Sequence, residues 1–257
     1  MSDASTAMPQ ATTSWQRRAF AEFLGSALLS AIVIGSGIAA SALSPNDVGL
    51  QLLENAAATA LGLYVLIVVL APLSGAHFNP VVSLVDVYLG FRPWRDLASY
   101  LPAQVAGCVV GAVLANSMFG LPAVALSGTD RLTGPHLLAE VVATAGLVLV
   151  IFALARSGRG RFAPAAVAAY IGSAYFFTSS TSFANPAIAI GRMFTDTFAG
   201  IAPGSVPGYM CAQLLGGILG LVLVRVLYPD QGTTSPVRSD VVAASATGRV
   251  SEREARL

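Results

Sequence analysis

Two copies of one short pattern limit what this chain can become. Asn79-Pro80 follows Ser74-Gly75-Ala76-His77-Phe78, and Asn185-Pro186 follows Ser180-Thr181-Ser182-Phe183-Ala184. Asparagine is a good helix N-cap, and proline is tolerated at the first helical position, where its missing N–H costs no bond. Each copy therefore reads as the start of a helix. Each also lies in sequence apolar enough for a bilayer, where an open helix end must face protein or water rather than lipid. Only about 10–12 helix-compatible residues follow each motif, fewer than the roughly 20 that a crossing needs. Both are expected to be half-helices that enter and leave on one side.

Composition sets the solvent. The 257 residues are 55% hydrophobic and 11% charged, with a mean hydropathy of +0.71, whereas a soluble domain carries about 25% charged residues. The reading is an all-α integral membrane protein in a lipid bilayer. All 14 basic side chains are arginine and the net charge is +1, which argues against a nucleic-acid partner. Cys108 and Cys211 fall in apolar stretches and read as buried free thiols rather than a disulfide or a metal site. No metal and no cofactor are expected.

Six stretches are long enough to span, at about 18–41, 50–73, 97–119, 134–155, 162–180 and 206–228. Residues 1–16 and 229–257 are polar and read as disordered tails around a membrane-embedded body at 17–228. The apolar run after Arg17-Arg18 is long enough to span, so no cleavable signal peptide is expected. Arginines crowd the N-terminal segment, the second connection (Arg92, Arg95) and the fourth (Arg156, Arg159, Arg161). The positive-inside rule then puts both termini in the cytoplasm and Arg192 on the outer side.

The two halves match in order, over about 18–119 and 134–228. Ala21-Glu22 echoes Ala139-Glu140, the Asn-Pro motifs echo each other, and Tyr100…Gln104 with Gly107 and Gly111 echoes Tyr209…Gln213 with Gly216 and Gly220. Three spans per half force the second half to enter from the opposite face, so the repeat is inverted. The two half-helix N-termini can then meet near the bilayer centre. Each carries about half a positive charge, which penalises cations there.

A doubled Asn-Pro-Ala motif in a duplicated six-span chain resembles the major intrinsic protein family, the aquaporins and aquaglyceroporins. The first copy departs from the pattern, reading Asn79-Pro80-Val81 against Asn185-Pro186-Ala187. The resemblance implies six spans, two re-entrant half-helices, a homotetramer, and no enzymatic activity. It implies that Asn79 and Asn185 donate to a passing solute, that Glu22 and Glu140 hold the re-entrant loops, and that His77 packs in the first loop or its vestibule. Most family members place arginine directly after the second motif; here that residue is Ile188.

Counting back from the asparagines without gaps puts the other filter positions on Thr59, Ser173 and Ser182. A shift of one or two residues would substitute Leu61 for Thr59, and Gly172 or Tyr175 for Ser173. Thr, Ser, Ser and Ile leave an opening wider than one of Phe, His and Arg, without the arginine. Such a filter suits glycerol or undissociated arsenous acid better than a single file of water. The pattern, with the stretch Thr195-Asp196-Thr197-Phe198-Ala199-Gly200, resembles a bacterial aquaporin subgroup associated with arsenic resistance, which implies a bacterial inner-membrane location. An ion-coupled transporter would need a titratable pair near the midplane, and only Glu22, Glu140 and Asp86 are available. An intramembrane enzyme finds no Ser/Lys, Asp/Asp or His-Glu-x-x-His set in the spans.

Overall fold

Eight α-helices follow one another in the computed structural model, which describes residues 14–229. They are α1 (Trp15–Leu43), α2 (Val48–Ser74), α3 (Pro80–Tyr88), α4 (Leu97–Met118), α5 (Gly134–Arg156), α6 (Ala163–Phe177), α7 (Pro186–Gly191) and α8 (Val206–Leu227). Most of the two tails read as disordered lies outside the described residues. At the N-terminal boundary the helix starts earlier than expected. Ser14 accepts a hydrogen bond from the Arg17 N–H at 3.4 Å, so Trp15 and Gln16 are already helical.

Five helices have the length and hydropathy of membrane spans. The sixth span, α6, is only 15 residues long. It was expected over 162–180, but the chain turns extended at Thr178 (φ −111°, ψ 139°) and begins the second re-entrant loop there. The half-helices are 9 and 6 residues long, both shorter than expected. α7 packs closely on α4 at its end, where a Cβ on Gly191 would sit 2.7 Å from the Cys108 carbonyl oxygen, and the chain then tightens into a 3₁₀ turn, Arg192–Phe194.

The halves pack alike. α1 lies on α2 and α4, as α5 lies on α6 and α8, while α2 against α6 joins the halves. The close approaches come from the paired glycines. A Cβ at Gly111 would lie 2.1 Å from the Ala27 carbonyl oxygen, and one at Gly220 would lie 2.7 Å from that of Ala145. Small residues let backbones meet where lipid supplies no hydrophobic drive between helices. Gly111→Ala is therefore expected to cost about 1–3 kcal/mol through overpacking, read as a lower melting temperature in detergent. Gly128→Ala, where a Cβ meets nothing within 4 Å, should leave the melt unchanged.

Between α4 and α5 the chain lies across the α7 end of the molecule. Ala125 and Ser127 N–H groups donate to the Phe194 and Met193 carbonyls, and the Ala202 N–H donates to that of Thr129. Asn116 fastens this end by donating to the Phe194 carbonyl at 2.9 Å and accepting from the Thr195 hydroxyl at 2.7 Å.

Candidate functional site

The two re-entrant loops are built by the same device. Each places non-glycine residues at positive φ, at Ala76 and Phe78 in the first and at Thr181, Ser182 and Ala184 in the second. These turns aim backbone N–H groups at a carboxylate. Glu22 accepts from the Ser74 hydroxyl (2.6 Å), the His77 and Phe78 N–H groups (3.0 and 2.7 Å) and the Gln104 amide (2.7 Å). Glu140 accepts from the Ser180 hydroxyl (2.6 Å), the Phe183 and Ala184 N–H groups (2.9 and 2.8 Å) and the Gln213 amide (2.7 Å). Both glutamates are fully buried. A buried carboxylate is tolerable when its lone pairs are filled in this way.

The loops then reach across to each other. The Asn79 amide donates to the Ala184 carbonyl at 2.7 Å, and the Asn185 amide donates to the Phe78 carbonyl at 2.8 Å. Each asparagine oxygen caps its own helix, Asn79 on the Val81 N–H at 2.9 Å and Asn185 on the Ala187 and Ile188 N–H groups at 3.0 and 3.3 Å. A carboxamide has two N–H donors, so one remains on each residue. Both side chains line a cavity of about 300 Å³ running between the halves.

The half-helices present matching stripes to that cavity. Asn79, Val82 and Asp86 line one part, and Asn185, Ile188 and Arg192 line the other. The i, i+3, i+7 spacing is one face of a helix. Thr59 and Tyr175 complete the wall beside Ile188, with the Thr59 hydroxyl 3.2 Å from that of Tyr175.

Comparisons with known proteins agree with this arrangement. The family model described as Major intrinsic protein matches residues 10–184. The chain belongs to the major intrinsic protein family. It is 51% identical over 212 residues to "Aquaglyceroporin AqpS" of Rhizobium meliloti, covering 82% of this chain and 90% of that protein. It is 33% identical over 263 residues to the "Glycerol uptake facilitator protein" of Pseudomonas aeruginosa, covering 86% and 91%. The solved aquaglyceroporin from Plasmodium falciparum shares the fold, with a TM-score of 0.64 at 22% identity, covering 82% of this chain and 96% of that one. The molecule is thus a multi-pass membrane channel for small neutral solutes, not an enzyme.

The cavity wall takes in some of the residues singled out from the sequence and leaves out others. Thr59, Ser182 and Ile188 line the cavity as expected. Ser173 does not: it is exposed and its hydroxyl donates to the Tyr170 carbonyl of its own helix at 2.8 Å. The wall position on α6 is Tyr175, one of the alternatives that a shifted count allows. Two residues are about 200° apart around a helix, so that slip exchanges the lumen face for the outside. Tyr175 puts a larger side chain on that wall than Ser173 would.

The residue directly after the second motif is Ile188 rather than arginine, and an arginine enters the cavity wall farther along. Arg192 is buried and lines the cavity one turn beyond Ile188. Its Nε donates to the Ala199 carbonyl, and its guanidinium carbon lies 3.4 Å from the Phe183 ring centroid. Arg131 flanks the same ring at 5.6 Å and donates to the Gly200 and Phe198 carbonyls. What is displaced is the charge, which sits farther from the asparagines than a residue at position 188 would put it.

Val81 is buried, 2% exposed and outside the cavity wall, and packs towards α8, where a Cβ on Gly217 would lie 2.5 Å from Val81 Cγ1. The missing Cβ of Gly217 makes room for the larger third residue. His77 packs edge-on to Tyr100 at 5.6 Å, and its Nδ1 lies 3.0 Å from the Ser83 hydroxyl. It also faces the lumen. Of the two thiols, Cys108 is buried as expected but Cys211 is exposed, on the outer face of α8.

Proposed function

We propose that this channel passes undissociated metalloid hydroxides such as arsenous acid, together with glycerol and, less selectively, water. The observation that carries the reading is Ile188. At the position directly after the second motif it gives an apolar patch to a cavity that the hydroxyl-bearing Thr59 and Ser182 also line. A trihydroxide or triol can exchange part of its hydration shell for those hydroxyls while its less polar face meets the isoleucine. The 51% identical relative named an aquaglyceroporin supports a solute larger than water. The same reading makes the protein a homotetramer in a bacterial inner membrane. The arginine-rich connections put both termini, and the cavity mouth beside α3, on the cytoplasmic side.

Ile188→Arg is expected to suppress glycerol and arsenite uptake while sparing water, in stopped-flow measurements on one proteoliposome preparation. Uptake of the larger solutes equal to the parent's would overturn the assignment. A second reading, an ordinary water or glycerol facilitator, is favoured by Tyr175 and Arg192 in the wall. It predicts that the parent already excludes arsenite in that preparation.

A further inference from the structure

The two lumen stripes match in position but not in charge. Seven residues beyond its motif asparagine, α3 carries Asp86, and seven residues beyond the other asparagine stands Arg192; both line the cavity. Each faces a ring two residues before its asparagine, Asp86 beside His77 and Arg192 over Phe183. The molecule thus carries an acid near one mouth where it carries a base near the other.

Asp86 differs from Glu22 and Glu140, the two fully buried carboxylates among the described residues. Glu22 and Glu140 each receive four hydrogen bonds. Asp86 is only 9% exposed, yet its Oδ2 has no hydrogen-bond partner among the described residues. The nearest cationic groups are Arg92 Nε at 3.4 Å and His77 Nε2 at 3.7 Å, neither in hydrogen-bonding geometry. Arg92 is anchored by its Nη1, which donates to the Tyr100 hydroxyl at 3.1 Å. A buried charged acceptor without donors is costly; Oδ2 is closed off behind Arg92 and His77, and the 13% of the side chain that stays exposed belongs to the cavity wall, so a solute meets the carboxylate from its other side.

We propose that Asp86, with His77 and Arg92, forms a solute-binding station at the α3 mouth, which takes the hydroxyl groups of small neutral polyhydroxylated molecules. The carboxylate accepts a solute O–H, and Arg92 donates to a neighbouring solute oxygen. Water can satisfy the acid one bond at a time. A molecule with two or three hydroxyls on adjacent atoms satisfies both groups together, so the station favours the solute class proposed above, and it rests on that reading. The opposite mouth cannot do the same, because Arg192 offers donors only.

The test uses the full chain in proteoliposomes, with glycerol as probe. Asp86→Asn, which keeps the shape and removes the charge, is expected to raise the half-saturating glycerol concentration by about tenfold, the scale of one hydrogen bond to a charged group. Water permeability should stay within about twofold of the parent, since the constriction beside Ile188 is untouched. If Asp86 served only to hold Arg92, Asp86→Asn and Arg92→Gln would alter water and glycerol permeation together and leave half-saturation where it was; that result overturns the proposal. A second readout needs no flux. In infrared difference spectra of the parent, glycerol should shift a carboxylate stretch that is missing from Asp86→Asn, and no shift would also overturn the station. A parent that conducts no glycerol would defeat the proposed function, while the equilibrium spectrum still decides the station.

Discussion

Replacing Glu140 by leucine is expected to dismantle the second re-entrant loop and abolish conduction. Leucine cannot accept the four bonds that Ser180, Phe183, Ala184 and Gln213 now direct at the carboxylate. The two backbone donors alone, orphaned at about 2 kcal/mol each, would cost on the order of 4 kcal/mol. Water cannot reach in to replace the acceptor, because the position is fully buried. The loop would have to leave its positive-φ turns at Thr181, Ser182 and Ala184, because the bonds from Asn79 to the Ala184 carbonyl and from the Ser182 N–H to the Ser180 hydroxyl are too few to hold them. Asn185 would then lose its place, and with it the bond to the Phe78 carbonyl. A melting temperature in detergent lower by about 10 °C, with solute and water permeability at the empty-liposome level, is the expected result. Parent-like melting and flux would show that the carboxylate is dispensable.

Arg192→Gln is expected to make the channel leak cations. The half-helix N-termini would still oppose a cation at the centre, but the barrier at the α7 end would lose the charge that lines the cavity. A unit charge roughly 8 Å from a passing ion, at an effective dielectric constant near 20, contributes about 2 kcal/mol, a factor of about thirty in flux. Potassium efflux from loaded proteoliposomes should rise by that order, while glycerol permeation changes little. Arg192→Lys, which keeps a charge but loses the flat stack on Phe183, should stay tight. A glutamine variant as cation-proof as the parent would mean that the half-helix dipoles suffice.

The parts of the site that the amino-acid sequence made legible are those that the duplication repeats. Glu22 and Glu140, Asn79 and Asn185, and the glycine pairs occur at matching positions, and each pair does the same work in both halves. What escaped is what breaks the symmetry. Ser173 was misplaced because a gapless count assumes that α6 runs on to the motif, whereas it unwinds at Thr178 and the face shifts to Tyr175. Arg192 was set aside because it is four residues from the expected position. Only the helical stripe through Asn185 and Ile188, continued by an αR residue after α7 (φ −69°, ψ −9°), returns it to the lumen. Val81 was legible as a departure but not as a compensated one, since its counterpart Gly217 lies 136 residues away in another helix. Asp86 carried no motif at all. Its meaning comes from missing hydrogen bonds, which a sequence does not record.

The exchanged asparagine bonds make the two halves completing parts of one another. Each loop finishes the lumen of its neighbour by lending it a backbone oxygen, so neither half owns a passage of its own. Damage to one loop reaches the other, and substitutions on opposite sides of the membrane become answerable to each other through this exchange of bonds.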